Sequence, residues 1–123
     1  MKAMILAALA AFTLTANAAE PGTVVPGIKT VCDTESQWSQ IWEAHKGAGY
    51  DAALRVYQAL SEDRNRYGEP VCGQTRTPLM VVRVIETTTL TWPQGEFWSQ
   101  FVEFVARSGR RGYGVVVMPK GGA

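Results

Sequence analysis

The sequence is poor in the side chains that most catalytic and metal sites require. Among its 123 residues there is one histidine, His45, and there are two cysteines, Cys32 and Cys72. No serine lies in a G-x-S-x-G segment, the cysteines lack C-x-x-C spacing, and there is no glycine-rich phosphate-binding loop. Cys32, Cys72 and His45 also lack the spacing of zinc ligands. We therefore expect no catalytic residue, no metal and no cofactor, and an enzyme of unknown class stays as a third hypothesis.

Neither sign of charge dominates the chain. The formal net charge is +1, and it falls to zero when Lys2 is removed. A chain without excess positive charge has no overall attraction to nucleic acid or to anionic lipid. After the N-terminal segment, no apolar run reaches the roughly 20 residues that a membrane-spanning helix needs. We therefore expect no nucleic-acid partner and no transmembrane segment after signal cleavage. An envelope protein or a glycan is the candidate partner, on the surface features described below.

The N-terminal segment has the three parts of a secretory signal peptide. Met1-Lys2 is positively charged, residues 3–14 form an apolar run, and Ala16-Asn17-Ala18 is an A-x-A cleavage site. An uncleaved anchor is the alternative, against which the short apolar run argues. We predict a cleaved signal peptide over residues 1–18.

The rest of the chain, residues 19–123, is predicted to be a single small domain. It would begin at Ala19 or at Glu20 and would reside in the periplasm or be secreted. The length is near the lower end of the usual range for one domain, roughly 50–200 residues.

Two cysteines in an exported chain indicate a disulfide, here between Cys32 and Cys72. The bond would close a loop of about 41 residues, for which the loss of chain entropy in the unfolded state corresponds to roughly 4 kcal/mol. Cys32 directly precedes a predicted helix, where a helix dipole stabilises a thiolate, so a reactive thiol is the alternative. The distant partner and the absence of C-x-x-C favour a structural crosslink.

Two helices are predicted between the cysteines. The first begins after Thr34, because Thr34-x-x-Gln37 is a capping box. Its apolar face is formed by residues at helical spacing: Trp38, Ile41, Trp42 and His45. The second helix runs from Tyr50 or Asp51 to Arg64. Its apolar stripe is Ala53, Leu54, Tyr57 and Leu60.

Four β-strands are predicted around this helical hairpin: residues 28–32, 79–91, 97–106 and 113–118. Residues 20–27 are predicted to be a linker. Arg83 and Glu86 cannot both point outward in an unbroken strand, so we expect a bulge or bend at Ile85-Glu86. A helix is the alternative for residues 97–106. The predicted fold class is α+β, with a small curved antiparallel sheet of about four strands. A two-helix hairpin, clipped by the disulfide, follows the first strand. An SH3-like barrel is one way in which such a sheet could close.

A family resemblance rests on the segment G-x-x-x-V-C-D-T-x-x-Q, from Gly27 to Gln37, on the pair Ala53-Leu54, on a second cysteine at 72 and on Phe101 to Val105. Through these residues the chain resembles a group of short exported proteins from alphaproteobacteria. The resemblance implies export and pairing of the two cysteines, and it assigns no functional residue.

Two surface features are candidates for binding. Arg107, Arg110 and Arg111 form a basic hairpin with no acidic residue after Glu103, and they could contact an acidic partner or the anionic envelope surface. A solvated loop that discourages edge pairing is the alternative. Trp92 precedes a proline turn, where an exposed indole is a contact for a protein or a sugar. Packing in the core is the alternative.

These features lead to a functional hypothesis of a non-enzymatic periplasmic or secreted domain that binds another envelope component. The second hypothesis is a secreted inhibitor of a hydrolase of the lysozyme or protease type, because a rigid disulfide-linked scaffold binds with little loss of entropy.

Overall fold

The computed structural model describes residues 18–120, so the predicted signal peptide lies outside the described residues except for Ala18. Within them the chain forms two helices and six strands. Their order is β1 Val24–Val25, β2 Lys29–Cys32, α1 Glu35–Ala48, α2 Tyr50–Glu62, β3 Cys72–Thr75, β4 Leu79–Trp92, β5 Gly95–Val105 and β6 Arg111–Pro119.

The six strands make one antiparallel sheet in the order β1-β4-β5-β6-β2-β3, which curls into a half-barrel. The α+β class is confirmed, but the expected count of about four strands is too low. The sequence Cys72-Gly-Gln-Thr75 has no apolar alternation, so β3 was not expected. The outermost strands of the sheet are β1 and β3, and SH3-like closure is not confirmed.

The prediction of a linker over residues 20–27 is wrong. Val24 and Val25 form β1, which pairs with Met80 and Leu79 at the start of β4. The turn before β1 is also tied to β4, because the Val81 amide donates to the Thr23 carbonyl at 2.8 Å. The prolines and glycines of this segment correctly predicted turns, but the short edge strand between those turns was not predicted.

The start of α1 follows the predicted capping box. The Thr34 hydroxyl accepts from the Gln37 amide at 3.2 Å, and the Gln37 side chain accepts from the Thr34 amide at 3.0 Å. Trp38, Ile41 and Trp42 are buried against the sheet, as their spacing predicted. In α2, Ala53 is buried and Tyr57 and Leu60 pack on the same core; Val56, absent from the predicted stripe, packs there too.

Cys32 and Cys72 lie opposite each other on β2 and β3 and form a disulfide. Each is only 1% exposed. The bond therefore closes the base of the helical insertion, and its burial favours a structural crosslink over a reactive thiol.

β4 carries two bulges, because its register against β5 shifts at Val82 and at Ile85. The bulge at Ile85 confirms the prediction, and the one at Val82 was not expected. With the extra residue, Arg83 and Glu86 pair with Glu103 and Phe101, which lie on one face of β5. Arg83 reaches Glu35 at 2.7 Å and Glu86 reaches Lys46 at 2.8 Å, so the bulge positions two side chains that hold opposite ends of α1.

The segment predicted as a strand over residues 97–106 is a strand and not a helix, although it spans Gly95–Val105, and this strand, β5, is the centre of the fold. Its helix face carries Phe97, Ser99, Phe101 and Glu103, and its far face carries Trp98, Gln100, Val102 and Phe104. The helix face packs on α1 and α2 around Phe101. The far face has its own core, whose buried members are Ala19, Leu79, Val81, Val102, Phe104 and Val116. Both faces of β5 are therefore covered from Ser99 to Phe104, which explains why its apolar residues do not alternate cleanly with polar ones there.

Candidate binding surfaces

The four predicted binding residues lie at opposite ends of β5. Trp92 stands in the β4–β5 hairpin, whereas Arg107, Arg110 and Arg111 belong to the β5–β6 hairpin. β5 has 11 residues, which at about 3.3 Å per residue separates the two hairpins by roughly 30 Å. Trp92 and the arginines therefore belong to two separate surfaces.

Arg110 is engaged in ion pairs within the chain. Its guanidinium lies 2.9 Å from a Glu69 carboxylate oxygen and 3.4 Å from one of Asp33. The hydrogen bond to Glu69, followed by the charges of both carboxylates, raises the pKa of Arg110, and the same contact lowers the pKa of Glu69. Arg110 also lies over the ring of Tyr67, 5.9 Å from its centroid. This side chain joins the hairpin to the segment that follows α2.

Arg111 is paired as well, whereas Arg107 has no ion pair within residues 18–120. The Arg111 guanidinium donates to Glu103 at 2.9 Å. Glu103 is 9% exposed at its side chain. The basic hairpin is thus partly neutralised by carboxylates that sequence reasoning did not associate with it. Asp33 and Glu69 lie far away in sequence, and only the β2–β6 pairing brings Asp33 close.

A cleft of about 520 Å³ lies beside the basic hairpin, between β2, β3 and the loop before β6. Its charged lining consists of Asp33, Glu69, Arg110 and Arg111. Arg110 pairs with Asp33 and Glu69, and Arg111 pairs with Glu103 outside the lining. The two basic and two acidic side chains of the lining therefore leave no excess of one sign for a ligand.

The exposed indole of Trp92 lies on a wider apolar surface. Trp92 is 43% exposed, and its ring is tilted against that of Phe97 with 4.8 Å between centroids. Leu90 pairs in register with Phe97 on the same face. Val117, which is 40% exposed, lies on β6 and pairs with Ser99 on β5, two residues along the strand from Phe97. We call Trp92, Phe97, Leu90, Val117 and Tyr50 the apolar shelf.

The shelf adjoins a cavity of about 250 Å³ between α1, the start of α2 and the sheet. Leu90, Val117 and Tyr50 belong to both the shelf and the cavity wall, and Tyr50 is 68% exposed at the mouth. The rest of the wall is Trp38, Ile41, Trp42, His45, Ala53, Ser99 and Val115. Hence the wall is mostly aromatic and aliphatic, with only a few polar groups. The helices cover the central part of the helix face and leave its end near the β4–β5 hairpin open.

Sequence reasoning found Trp92 but missed its neighbours on the shelf. Leu90 and Val117 read as ordinary strand positions, and Tyr50 as the first residue of a helix. Nothing in their local pattern shows where α1 stops covering the sheet, because that depends on how the helical hairpin packs.

Within residues 18–120 no group of three histidine, cysteine or acidic side chains could hold a metal ion. In the same part of the chain, no helix is both long and apolar enough to cross a membrane. Comparison of the chain with protein-family models, with curated proteins and with solved structures gives no significant match. The resemblance to short exported proteins of alphaproteobacteria therefore stays a prediction.

Proposed function

We propose that this chain is a non-enzymatic, exported domain that binds another protein of the cell envelope through the apolar shelf. The observation that carries the proposal is the position of Trp92. Its indole is exposed at a hairpin tip, packs against the ring of Phe97, and lies on the same face as the open apolar cavity. Tryptophan is over-represented among the residues that dominate binding energy at protein interfaces, where it works beside a pocket that takes an anchor from the partner.

The chemistry of the shelf favours a protein partner over a glycan. A sugar needs several converging donors and acceptors around its hydroxyl groups, whereas the cavity offers few polar groups, with His45 and Ser99 among them. A volume of about 250 Å³ accommodates one or two apolar side chains of a partner. We therefore expect the partner to present an apolar anchor residue that enters the cavity beside Tyr50, while its neighbouring surface covers Trp92.

Two features support export. The N-terminal pattern is that of a secretory signal peptide. The Cys32–Cys72 disulfide is of a kind that persists in oxidising compartments such as the periplasm.

The test compares capture from an envelope extract by three immobilised, oxidised proteins: the wild type, Trp92→Ala and the control Thr91→Ala. Thr91 is also exposed and precedes Trp92 on β4, but it lies on the opposite face of the strand. We expect a protein held in near-stoichiometric amount by the wild type and Thr91→Ala and lost from Trp92→Ala. The partner is then purified, and its dissociation constant should rise at least tenfold for Trp92→Ala. Equal retention by all three, or retention of glycan alone, overturns the proposal.

Inhibition of a hydrolase is a second candidate, which the shape of the β4–β5 hairpin favours. Trp92 pairs with Gly95, so only Pro93 and Gln94 form the turn. Such a short turn is rigid and loses little entropy on entering a cleft. A panel of lysozymes and proteases assayed with excess protein tests this candidate, since inhibition by the wild type and not by Trp92→Ala supports it and no inhibition removes it.

The basic hairpin stays a predicted second contact surface. Arg110 and Arg111 are each about half exposed and hold further guanidinium donors free of their ion pairs. Arg107 is exposed at the hairpin tip. An acidic partner would have to compete with Glu69 and Glu103, so we expect this surface to add salt-sensitive attraction and the shelf to supply most of the affinity.

A further inference from the structure

Gln100 on the far face of β5 holds a single distant residue by both of its backbone groups. The Ala19 amide donates to Gln100 Oε1 at 2.7 Å, and Gln100 Nε2 donates to the Ala19 carbonyl at 2.9 Å, across a separation of 81 positions. Gln100 is 2% exposed and Ala19 is 5% exposed. A buried carboxamide paired in this way recognises peptide backbone, in the manner of a strand partner.

The segment after Ala19 is fixed to the sheet by further contacts. The Gly22 amide donates to the Val81 carbonyl at 2.8 Å, and the Glu20 amide donates to the Thr23 hydroxyl at 3.1 Å. The Ala19 residue itself belongs to the far-face core with Val102 and Phe104. Ala19 is therefore an integral part of the fold, and it directly follows the A-x-A site at residues 16–18.

We propose that Gln100 is the receptor for the mature N-terminus, which is Ala19. Cleavage adds water across the Ala18–Ala19 amide under a signal peptidase; the Ala18 side leaves as a carboxylate, and Ala19 keeps an ammonium group that binds Gln100 Oε1. This inference rests on the proposed export of the chain. The sequence leaves Ala19 and Glu20 open as first residues, and Gln100 decides between them. A chain that begins at Glu20 loses both Ala19 contacts, which leaves the buried carboxamide with the Thr87 hydroxyl, 3.4 Å from Gln100 Nε2.

The same geometry sets an order of events. A peptidase binds the residues around the scissile bond in an extended, accessible form. Folding buries Ala19 and occupies both its amide and its carbonyl, so cleavage has to precede docking on Gln100.

The first measurement is the intact mass of the protein exported by a bacterial host. A mass that corresponds to a chain from Ala19 is expected. A start at Glu20 or later overturns the inference and leaves the proposed export intact, whereas a chain that still begins at Met1 overturns both.

The role of Gln100 is tested by a double-mutant cycle on the mature protein. Chains that begin at Ala19 or Glu20 are compared in the wild-type background and with Gln100→Leu; Gln100→Met serves if the leucine variant does not fold. We expect loss of Ala19 to lower Tm by about 4–8 °C with Gln100 present, the shift that one net hydrogen-bond pair produces in a domain of this size. With Gln100 replaced, loss of Ala19 should lower Tm by less than half of the decrease seen with Gln100 present. Equal shifts in the two backgrounds overturn the assignment.

Discussion

Arg83 and Glu103 face each other across β4 and β5, with 3.1 Å between Nε of the arginine and a carboxylate oxygen. Arg111 holds the other oxygen of Glu103 at 2.9 Å, so a nearly buried carboxylate is shared by two guanidinium groups. Arg83 also pairs with Glu35 at the start of α1. Through Arg83, Glu103 thus connects the centre of the sheet to the helical hairpin, and through Arg111 it connects the sheet to the basic hairpin.

The acid sensitivity of the fold should depend on Glu103. Burial by itself would raise the pKa of Glu103, but the hydrogen bonds from Arg83 and Arg111 outweigh it and hold the pKa below its ordinary value. A carboxyl whose pKa is lowered by folding stabilises the native state fully above the unfolded pKa of about 4.3 and loses this contribution as the pH falls through the folded pKa. Glu103→Gln should therefore cost about 1–2 kcal/mol at pH 7 and much less near pH 3.

Urea unfolding at the two pH values measures this difference. Glu43→Gln is the matched control, since Glu43 is 64% exposed at its side chain and contacts only Lys46 among the ion pairs of the described residues. An equal loss at both pH values would show that Glu103 acts through packing and not through its charge.

Breaking the Cys32–Cys72 bond should destabilise the protein strongly. The bond connects positions 40 apart, and the loss of unfolded-state entropy predicts roughly 4 kcal/mol. Thermal unfolding before and after reduction measures the effect, and Cys32→Ala with Cys72→Ala should reproduce it. Intact mass should rise by two hydrogens on reduction. A free-thiol content near two per chain in the exported protein would contradict the crosslink.

Gly114 on β6 has no room for a side chain. A Cβ atom there would lie 2.5 Å from the Thr30 carbonyl oxygen and 3.2 Å from the Phe104 ring. Gly114→Ala should therefore force β2 and β6 apart and cost about 2–3 kcal/mol, as overpacking of a core does. Gly73→Ala on β3 is the control, because nothing lies within 4 Å of its Cβ position. Comparable losses of Tm in both variants would refute the close approach.

Arg110 and Arg107 of the basic hairpin should differ in what they contribute to stability. Arg110→Ala removes contacts to Asp33 and Glu69 and should cost about 0.5–1 kcal/mol, an effect that weakens in high salt. Arg107→Ala should change stability by less than about 0.5 kcal/mol. Denaturant unfolding at low and high salt checks both values. A loss for Arg107→Ala as large as that for Arg110→Ala would mean that Arg107 has a structural contact.

The N-terminal cap of α1 offers a test of a single hydroxyl group, because Thr34→Ala and Thr34→Ser both lose the methyl group and differ from each other only at that hydroxyl. Thr34→Ala removes the acceptor for the Gln37 amide and should cost about 1 kcal/mol. Thr34→Ser keeps that acceptor and should retain most of the stability. Urea unfolding compares the two variants. An equal loss of unfolding free energy in both would contradict the capping role of the Thr34 hydroxyl.

Sequence reasoning succeeded where the physical rule is local. The capping box at Thr34, the buried face of α1 and the bulge at Ile85 each depend on residues within a few positions of one another. The disulfide prediction needed only the cysteine count and the predicted signal peptide. Sequence reasoning failed at β1 and β3, because neither a two-residue edge strand nor Cys72-Gly-Gln-Thr75 carries a hydrophobic periodicity. These segments are strands because β1 pairs with β4 and β3 pairs with β2.

The charges and the binding surfaces were decided by the tertiary structure. Four arginine and tryptophan positions were predicted to be exposed contacts, yet the length of β5 divides them between two ends of the molecule, and Asp33, Glu69 and Glu103 occupy two of the arginines. The sequence by itself determined the two helices and the N-cap of α1, since these follow from short-range patterns, and its two cysteines determined the crosslink. Which distant groups meet, as Gln100 meets Ala19, depends on how the sheet curls, and no local pattern contains that information.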